Sequence, residues 1–372
     1  MKITRIELFS IYTPREYGYI SGHQVVRVTG EDDFYGLGEI SDHRLPEREQ
    51  VEAELKHLLL GRSTEDILVI NEELIDHDFQ ASIGSPNIAA GVDLALWDLQ
   101  GRLQEKPVWQ LLGGKFRDRS RACYPIFGTA HPEQCAKNYD RVQRVVDHGH
   151  DLVRYYISGN LENDFQFLSQ VKERIGDRIH FKSFDFSHRF DDVDEALRYY
   201  ERLRPLNPIH VEAPSRDLDI TAEFVKRVDL PVSMHAGLLD HAYDIVSKGA
   251  ADILNVATST AGITYARHYV SLAKAADVDL LIGTDQEASI GIAGQIHFAA
   301  SVPTLDYPCD PFGTLLYMED VVRERSRYEG GCLLLPEGNG LGVELDEELL
   351  AEQVRKGDPG TERVEGWRQS SD

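Results

Sequence analysis

Six short apolar runs decide the fold: LVRYYI (152–157), IHFKSFD (179–185), IHVE (209–212), LPVSMH (230–235), DILNV (252–256) and VDLLIG (278–283). Each has the length of a strand buried on both faces. They end near Tyr156, Asp185, Glu212, His235, Val256 and Gly283, at intervals of 21 to 29 residues. Helix-length segments such as Asp194 to Leu203 and Ala261 to Ala275 fill the gaps. Strand, helix, strand at that period predicts an α/β fold with a parallel β/α barrel. A doubly wound sheet competes, but no glycine fingerprint follows the first run and the units approach eight in number.

Upstream, Val25-Val26-Arg27-Val28 runs into the acidic turn Glu31-Asp32-Asp33, and Phe34 to Glu39 follows as the second strand of a hairpin. Ile88, Val92, Leu94, Ala95, Leu99 and Leu103 then form a broad apolar stripe, predicting a helix from Asn87 to about Leu112 that Gly113-Gly114 ends. Downstream, Pro336-Glu337-Gly338-Asn339-Gly340-Leu341-Gly342 is a turn cluster leading a tail back to the first unit. The division expected is an α+β unit over 1–119, a barrel over 120–320 and a returning segment over 321–372. A chain of 372 residues suits a barrel of ~250 residues with a smaller companion.

Composition bounds the function. With 42% hydrophobic and 27% charged residues, wholesale disorder is excluded. The net charge of −24 comes from 63 acidic against 39 basic residues, and only 11 of the latter are Lys. Such a field repels phosphate backbones and anionic lipid, so neither nucleic acid nor a membrane is an expected partner. Cys123, Cys135, Cys309 and Cys332 show no C-x-x-C pair, which argues against a disulfide framework or structural zinc. The opening MKITRIELFS lacks the apolar run of a signal peptide, and no stretch approaches ~20 apolar residues, so a cytoplasmic protein is expected.

In a parallel barrel the C-terminal strand ends converge on one mouth. Here they carry Arg154 and Tyr156, Asp185, Glu212, His235, then Asp285 and Glu287. Asp185 and Glu212, on neighbouring strands, can hold a hard divalent cation through oxygen. Each can instead cap the helix after its strand, although charge at successive strand ends favours the site.

These features, taken with several motifs, resemble the enolase superfamily in its mandelate racemase and muconate lactonizing branch. Gly36-Leu37-Gly38-Glu39 matches a G-x-G-E motif of the capping domain. Asp93 to Leu99, Gly101, Pro107 and Gln110-Leu111-Leu112-Gly113-Gly114 match a recognisable helix. GTDQEASIG (283–291) with His297 is similar to the seventh-strand region, and PEGNGLGVELDE (336–347) to the return to the cap. The resemblance implies a modified (β/α)7β TIM-like barrel under an α+β cap built from both termini. It implies a homo-oligomer, a small carboxylate substrate, and Mg2+ stabilising an enediolate formed by removal of the α-proton. The physical rationale is that such a proton is too weakly acidic for a side-chain base unless a cation neutralises the charge that develops.

The sequence departs from that pattern at the base. The second-strand Lys-x-Lys is replaced by Arg154-Tyr155-Tyr156, the sixth-strand window reads Asn255-Val256-Ala257, and Gly283-Thr284-Asp285 stand where a seventh-strand His would be. Both usual base systems are absent. Arg154 and Tyr156, two apart on a strand, face the same way, and a guanidinium beside a phenol stabilises the phenolate as a base. The alternative is that Tyr156 fills the barrel while Arg154 neutralises Asp185. Asp285 and Glu287 are candidate general acids, Glu287 equally a hydrogen-bonding support. The fifth strand offers His235-Ala236 where the resemblance implies Glu, so the metal set becomes Asp185, Glu212 and His235. A His ligand favours Mn2+, Fe2+ or Zn2+ over Mg2+, unless the metal is lost. His188 and the loop YGYISGH (17–23), with Tyr19 and His23, are candidate substrate-binding groups. The leading expectation is a lyase that dehydrates an acid sugar or related hydroxy carboxylate. Its rivals are a racemase or cycloisomerase with a divergent base, and a barrel that binds a ligand without turnover.

Overall fold

A computed structural model describes residues 1–17, 20–41, 47–81, 83–127 and 131–357. The chain opens with a three-stranded antiparallel sheet of β1 (Arg5–Pro14), β2 (Ile20–Thr29) and β3 (Tyr35–Ile40), in that order. The β2–β3 hairpin pairs Val28 with Gly36 across the acidic turn. Helices α1 (Arg48–Leu59), α2 (Ile67–Ile75) and α3 (Ser85–Leu103) follow. Ile88, Val92, Ala95, Leu96 and Leu99 of α3 meet Val26, Val28 and Ile40 of the sheet in a hydrophobic core separate from the barrel's. The G-x-G of the third strand has a steric cause. A Cβ on Gly36 would lie 2.0 Å from the Ala95 carbonyl oxygen, and one on Gly38 1.8 Å from that of Gly91, so α3 packs directly on strand backbone.

The helix expected to run to Leu112 is in fact broken. It stops at Leu103, Glu105 turns through φ +52°, and a short α4 (Val108–Leu111) restarts after Pro107. Proline lacks the amide needed to continue the ladder and disfavours helical geometry at the residue before it.

After β4 (Arg119–Arg121) the barrel begins. Its staves are β5 (Tyr124–Ile126), β6 (Leu152–Tyr156), β7 (His180–Asp185), β8 (His210–Glu212), β9 (Val232–His235), β10 (Ile253–Val256) and β11 (Asp279–Ile282), parallel and in chain order. Between them run α5 (Pro132–Asp147), α6 (Leu161–Ile175), α7 (Val193–Leu203), α8 (Leu218–Arg227), α9 (Leu239–Lys248) and α10 (Gly262–Ala276). Cys309 and Asp310 close the circle: Cys309 bridges Ala122 in parallel, and the Asp310 amide donates to the Ile282 carbonyl at 2.8 Å. The fold is therefore a modified TIM-like barrel with a capping domain. None of the described helices is long and apolar enough to cross a membrane.

One helix joins the two parts. α11 (Ser289–Ser301) is buried on all sides from Ser289 to Ala300. Its first amides are capped by distant carboxylates: Glu39 accepts from Ala288 and Gly291, both at 2.7 Å, and Asp320 from Ser289 at 3.1 Å. The later elements, α12 (Gly313–Leu316), β12 (Tyr328–Glu329), β13 (Cys332–Leu334) and α13 (Glu347–Lys356), lead back towards the start. β13 pairs with β4, the Val108 amide donates to Gly340, and Arg27 of β2 pairs with Glu347 at 2.6 Å.

His297 in α11 makes the fold acid-sensitive. Its Nδ1 accepts from the Trp109 amide and its Nε2 donates to the Leu341 carbonyl, both at 3.2 Å, which requires the neutral ring. Burial pushes its pKa down to about 4. The folded value lies below the unfolded one of about 6.5, so this stability is complete above pH 6.5 and is lost as pH falls towards 4. At pH 5 the loss is about 2 kcal/mol. Asp93, which burial raises to about 7, contributes with the opposite sign. The comparison that isolates His297 is therefore His297→Gln, which can keep both hydrogen bonds. Urea unfolding is expected to show the variant gaining about 2 kcal/mol on its parent between pH 7 and pH 5.

Candidate active site

Strand alternation builds the mouth. On β6, Tyr155 points outward, where its hydroxyl donates to Asp164 at 2.7 Å, while Arg154 and Tyr156 point inward. Asp185, Glu212 and His235 stand at the ends of the next three staves, each offering one ligand atom within 4.8 Å of the others. His235 Nε2 lies 3.1 Å from Glu212 Oε1. The same oxygen accepts from Arg154 Nη1 and Asn255 Nδ2 at 3.1 Å, and Ser183 donates to Oε2 at 3.0 Å. Asp185 Oδ1 accepts from the Ser187 amide at 2.7 Å.

The electrostatics follow from burial and these neighbours. Burial and the Glu212 charge push Asp185 up to about 7. Glu212 is itself deeply buried, yet Arg154, His235 and Lys182 hold it well below the carboxylate range. His235 sits above its ordinary value because the Glu212 hydrogen bond and the acidic pair outweigh its burial. Two carboxylates and an imidazole converging at this separation fit a divalent cation through mixed oxygen and nitrogen ligands. Backbone strain gathers here as well. Ser187, His188 and Ala213, just beyond the third and fourth stave ends, have φ of 52°, 56° and 48°, a region L-residues seldom enter.

Arg154 is the hub. Its guanidinium is buried, pairs with Glu212 and Asp310 at 3.1 Å each, and donates through Nη2 to the Tyr156 hydroxyl. It also lies 4.6 Å from the Tyr156 ring centroid, and that ring packs on Phe127. His188 is adjacent, its ring 6.2 Å from that of His235, and its Nδ1 donates to the Ser215 carbonyl at 3.1 Å. Nε2 is then the acceptor, and burial with the neighbouring His235 keeps the ring neutral by lowering its pKa.

The remaining candidates lie elsewhere. Asp285 is exposed. Glu287 is buried and accepts from Thr284 Oγ1, the Asp285 amide at 3.1 Å and Gln295 at 2.8 Å; burial and Asp285 raise its pKa. His23 is fully buried in the seam between cap and barrel, with Nδ1 2.9 Å from Glu39 and its ring edge-on to Tyr317. Tyr19 falls outside the described residues.

Two residues of the interior escape the sequence reading. Period-two alternation places Lys182 opposite Ser183 and Asp185 in facing. However, β6 and β7 slip at this point: Val153 pairs with Phe181 and Arg154 with Ser183, so Lys182 is an extra, bulged residue. The bulge turns it inward, where it pairs with Asp310. Asp310 itself lies on a stave too short to show a strand pattern. Despite burial, the Asp310 charge raises the Lys182 pKa, so this lysine is a fixed cation and not a free amine base.

Comparison with known proteins agrees with this architecture. The enolase C-terminal domain-like family matches residues 138–349, and the mandelate racemase/muconate lactonizing enzyme N-terminal domain matches 20–113. Muconate cycloisomerase 1 of Rhodococcus opacus is 30% identical over 313 residues, 82% of this chain and 81% of its own. D-gluconate dehydratase of Thermoproteus tenax is 24% identical over 310 residues, 78% of this chain and 61% of its own. The structure of muconate lactonizing enzyme from Pseudomonas fluorescens with muconolactone shares the fold, with a TM-score of 0.85 at 23% identity over 95% of this chain and 99% of its own. A barrel closed by Asp310, a cap tied to its mouth and these two family matches together show that the chain belongs to the enolase superfamily, in its mandelate racemase and muconate lactonizing branch.

Proposed function

We propose that this enzyme dehydrates a small hydroxylated carboxylate, an acid sugar or a related hydroxy acid, by removing the proton α to the carboxylate. The observation that carries the proposal is the Arg154–Tyr156 hydrogen bond beside the Asp185–Glu212–His235 cluster. A divalent cation held by those three side chains supplies electrophilic stabilisation of the charge developing on the substrate carboxylate. Arg154 favours the phenolate of Tyr156, which takes the α-proton. The resulting phenol returns that proton to the departing β-hydroxyl, so Cα–H and Cβ–O break and water leaves. With a hydroxyl on Cα, as in a 2,3-dihydroxy acid, the enol product tautomerises to a 2-keto acid. Glu287 is occupied by its donors and Asp285 faces solvent, so in this scheme they shape the mouth loop and Tyr156 does both proton transfers. His188, with Nε2 as acceptor, orients a substrate hydroxyl.

Incubating a panel of hydroxy acids in D2O with Mg2+, Mn2+ or Zn2+ tests the proposal. Deuterium exchange at Cα together with 2-keto acid formation is expected. Racemisation or cyclisation without keto acid would instead assign the isomerase chemistry that the muconate cycloisomerase relative suggests.

The His235 ligand carries its own expectation. Imidazole favours Mn2+ or Zn2+ over Mg2+, so His235→Asp should improve Mg2+ binding relative to Mn2+ by roughly tenfold, read by titration calorimetry with each ion. An unchanged ratio would remove His235 from the ligand set.

A further inference from the structure

We propose that the buried Lys182–Asp310 pair sets the cation affinity of the mouth, by fixing Arg154 against Glu212 and by balancing the charge of the barrel interior. The inference rests on the reading of Asp185, Glu212 and His235 as the cation site. Lys182 and Asp310 are fully buried, and neither belongs to the cluster that would bind the ion. Asp310 Oδ1 accepts from Lys182 Nζ and from Cys123 Sγ, the latter at 3.1 Å. Its Oδ2 holds Arg154 Nη1 at 3.1 Å, and that same nitrogen reaches Glu212 Oε1 at 3.1 Å. An unbroken line of buried ion pairs therefore runs from Lys182 to a candidate ligand oxygen.

Buried charges are poorly screened, so a change at one end of that line is felt at the other. Deleting Lys182 removes a positive charge facing the site and strengthens cation binding. Neutralising Asp310 leaves Lys182 without its carboxylate partner and turns Arg154 onto Glu212, which weakens cation binding. Damage to packing would lower affinity in both variants. Opposite signs are the signature of an electrostatic role.

The test is calorimetric titration of Mn2+ alone, at one pH, into the parent, Lys182→Met, Asp310→Asn and the double variant, each checked by circular dichroism. Affinity is expected to rise roughly tenfold in Lys182→Met, to fall roughly tenfold in Asp310→Asn, and to return to within about threefold of the parent in the double variant. Lys182→Arg, which keeps the charge, should retain parental affinity. If Lys182→Met does not fold, the double variant against Asp310→Asn carries the same comparison. Shifts of one sign, or none, with a parent that binds Mn2+ overturn this inference alone. A parent that binds no Mn2+ overturns the cation site and this inference with it.

Discussion

Tyr156→Phe is expected to lower α-proton exchange and keto-acid formation by about 10²–10⁴-fold, the range for removing a general base, while leaving cation affinity within about twofold of the parent. The two readouts separate for a structural reason. The Tyr156 hydroxyl is bonded to Arg154, and its ring lies against that guanidinium and against Phe127, contacts that a Phe ring can keep while the oxygen is deleted. Glu212 keeps Asn255, Ser183 and His235, and Asp185 keeps the Ser187 amide, when the phenol is removed. The measurement is exchange in D2O on a substrate confirmed by the hydroxy-acid panel, alongside Mn2+ calorimetry. Full turnover in Tyr156→Phe would eliminate this residue as the base. Loss of both activity and cation binding would mean that the phenol supports the site instead of reacting in it.

Arg154→Met carries the largest expected effect on stability, a loss of about 3–5 kcal/mol in urea unfolding at pH 7, as for breaking a buried ion pair from one side. Its two carboxylate partners are fully buried and lose their shared guanidinium. Glu212 retains Asn255, Ser183 and His235, and Asp310 retains Lys182, so the protein should still fold. Arg154→Lys separates charge from reach. One ammonium cannot span Glu212, Asp310 and Tyr156 as the planar fork does, so stability should recover by more than half while turnover stays low. Equal stability of parent and Arg154→Met would contradict the hub role. Parental turnover in Arg154→Lys would show that positive charge alone suffices.

The sequence was legible wherever a residue's role follows from periodicity. Stave ends 21 to 29 residues apart placed Asp185, Glu212 and His235 on adjacent strands, and the structure brings their ligand atoms together. Arg154 and Tyr156 share a face because they are two apart on an undistorted stretch of β6. Legibility failed where local geometry breaks the period. The bulge at Lys182 reverses the facing that alternation assigns, so period-two reading does not place this lysine in the interior. Asp310 is carried by a closing stave that is recognisable only from its two neighbours. His23 looked like a loop residue open to substrate, but it lies within β2 and bonds Glu39, because the strand begins earlier than the Tyr17–His23 loop implied. In the α3 region an apolar stripe continued past Pro107, and proline stereochemistry overrode it.

The trans-capping of α11 also bears on how the molecule is made. Glu39 lies 249 residues before Ala288 and 252 before Gly291, while Asp320 follows 31 residues after Ser289. The start of α11, and with it the loop after the seventh stave, acquires its hydrogen-bonding partners from opposite ends of the sequence. Contacts of such separation carry a high loop-closure entropy and form late in folding. During synthesis the early staves can pair as they emerge, whereas the first turn of α11 waits for residue 320 to leave the ribosome. The order of assembly thus runs from barrel wall to mouth, and the loop that shapes the mouth is among the last parts of the molecule to take shape.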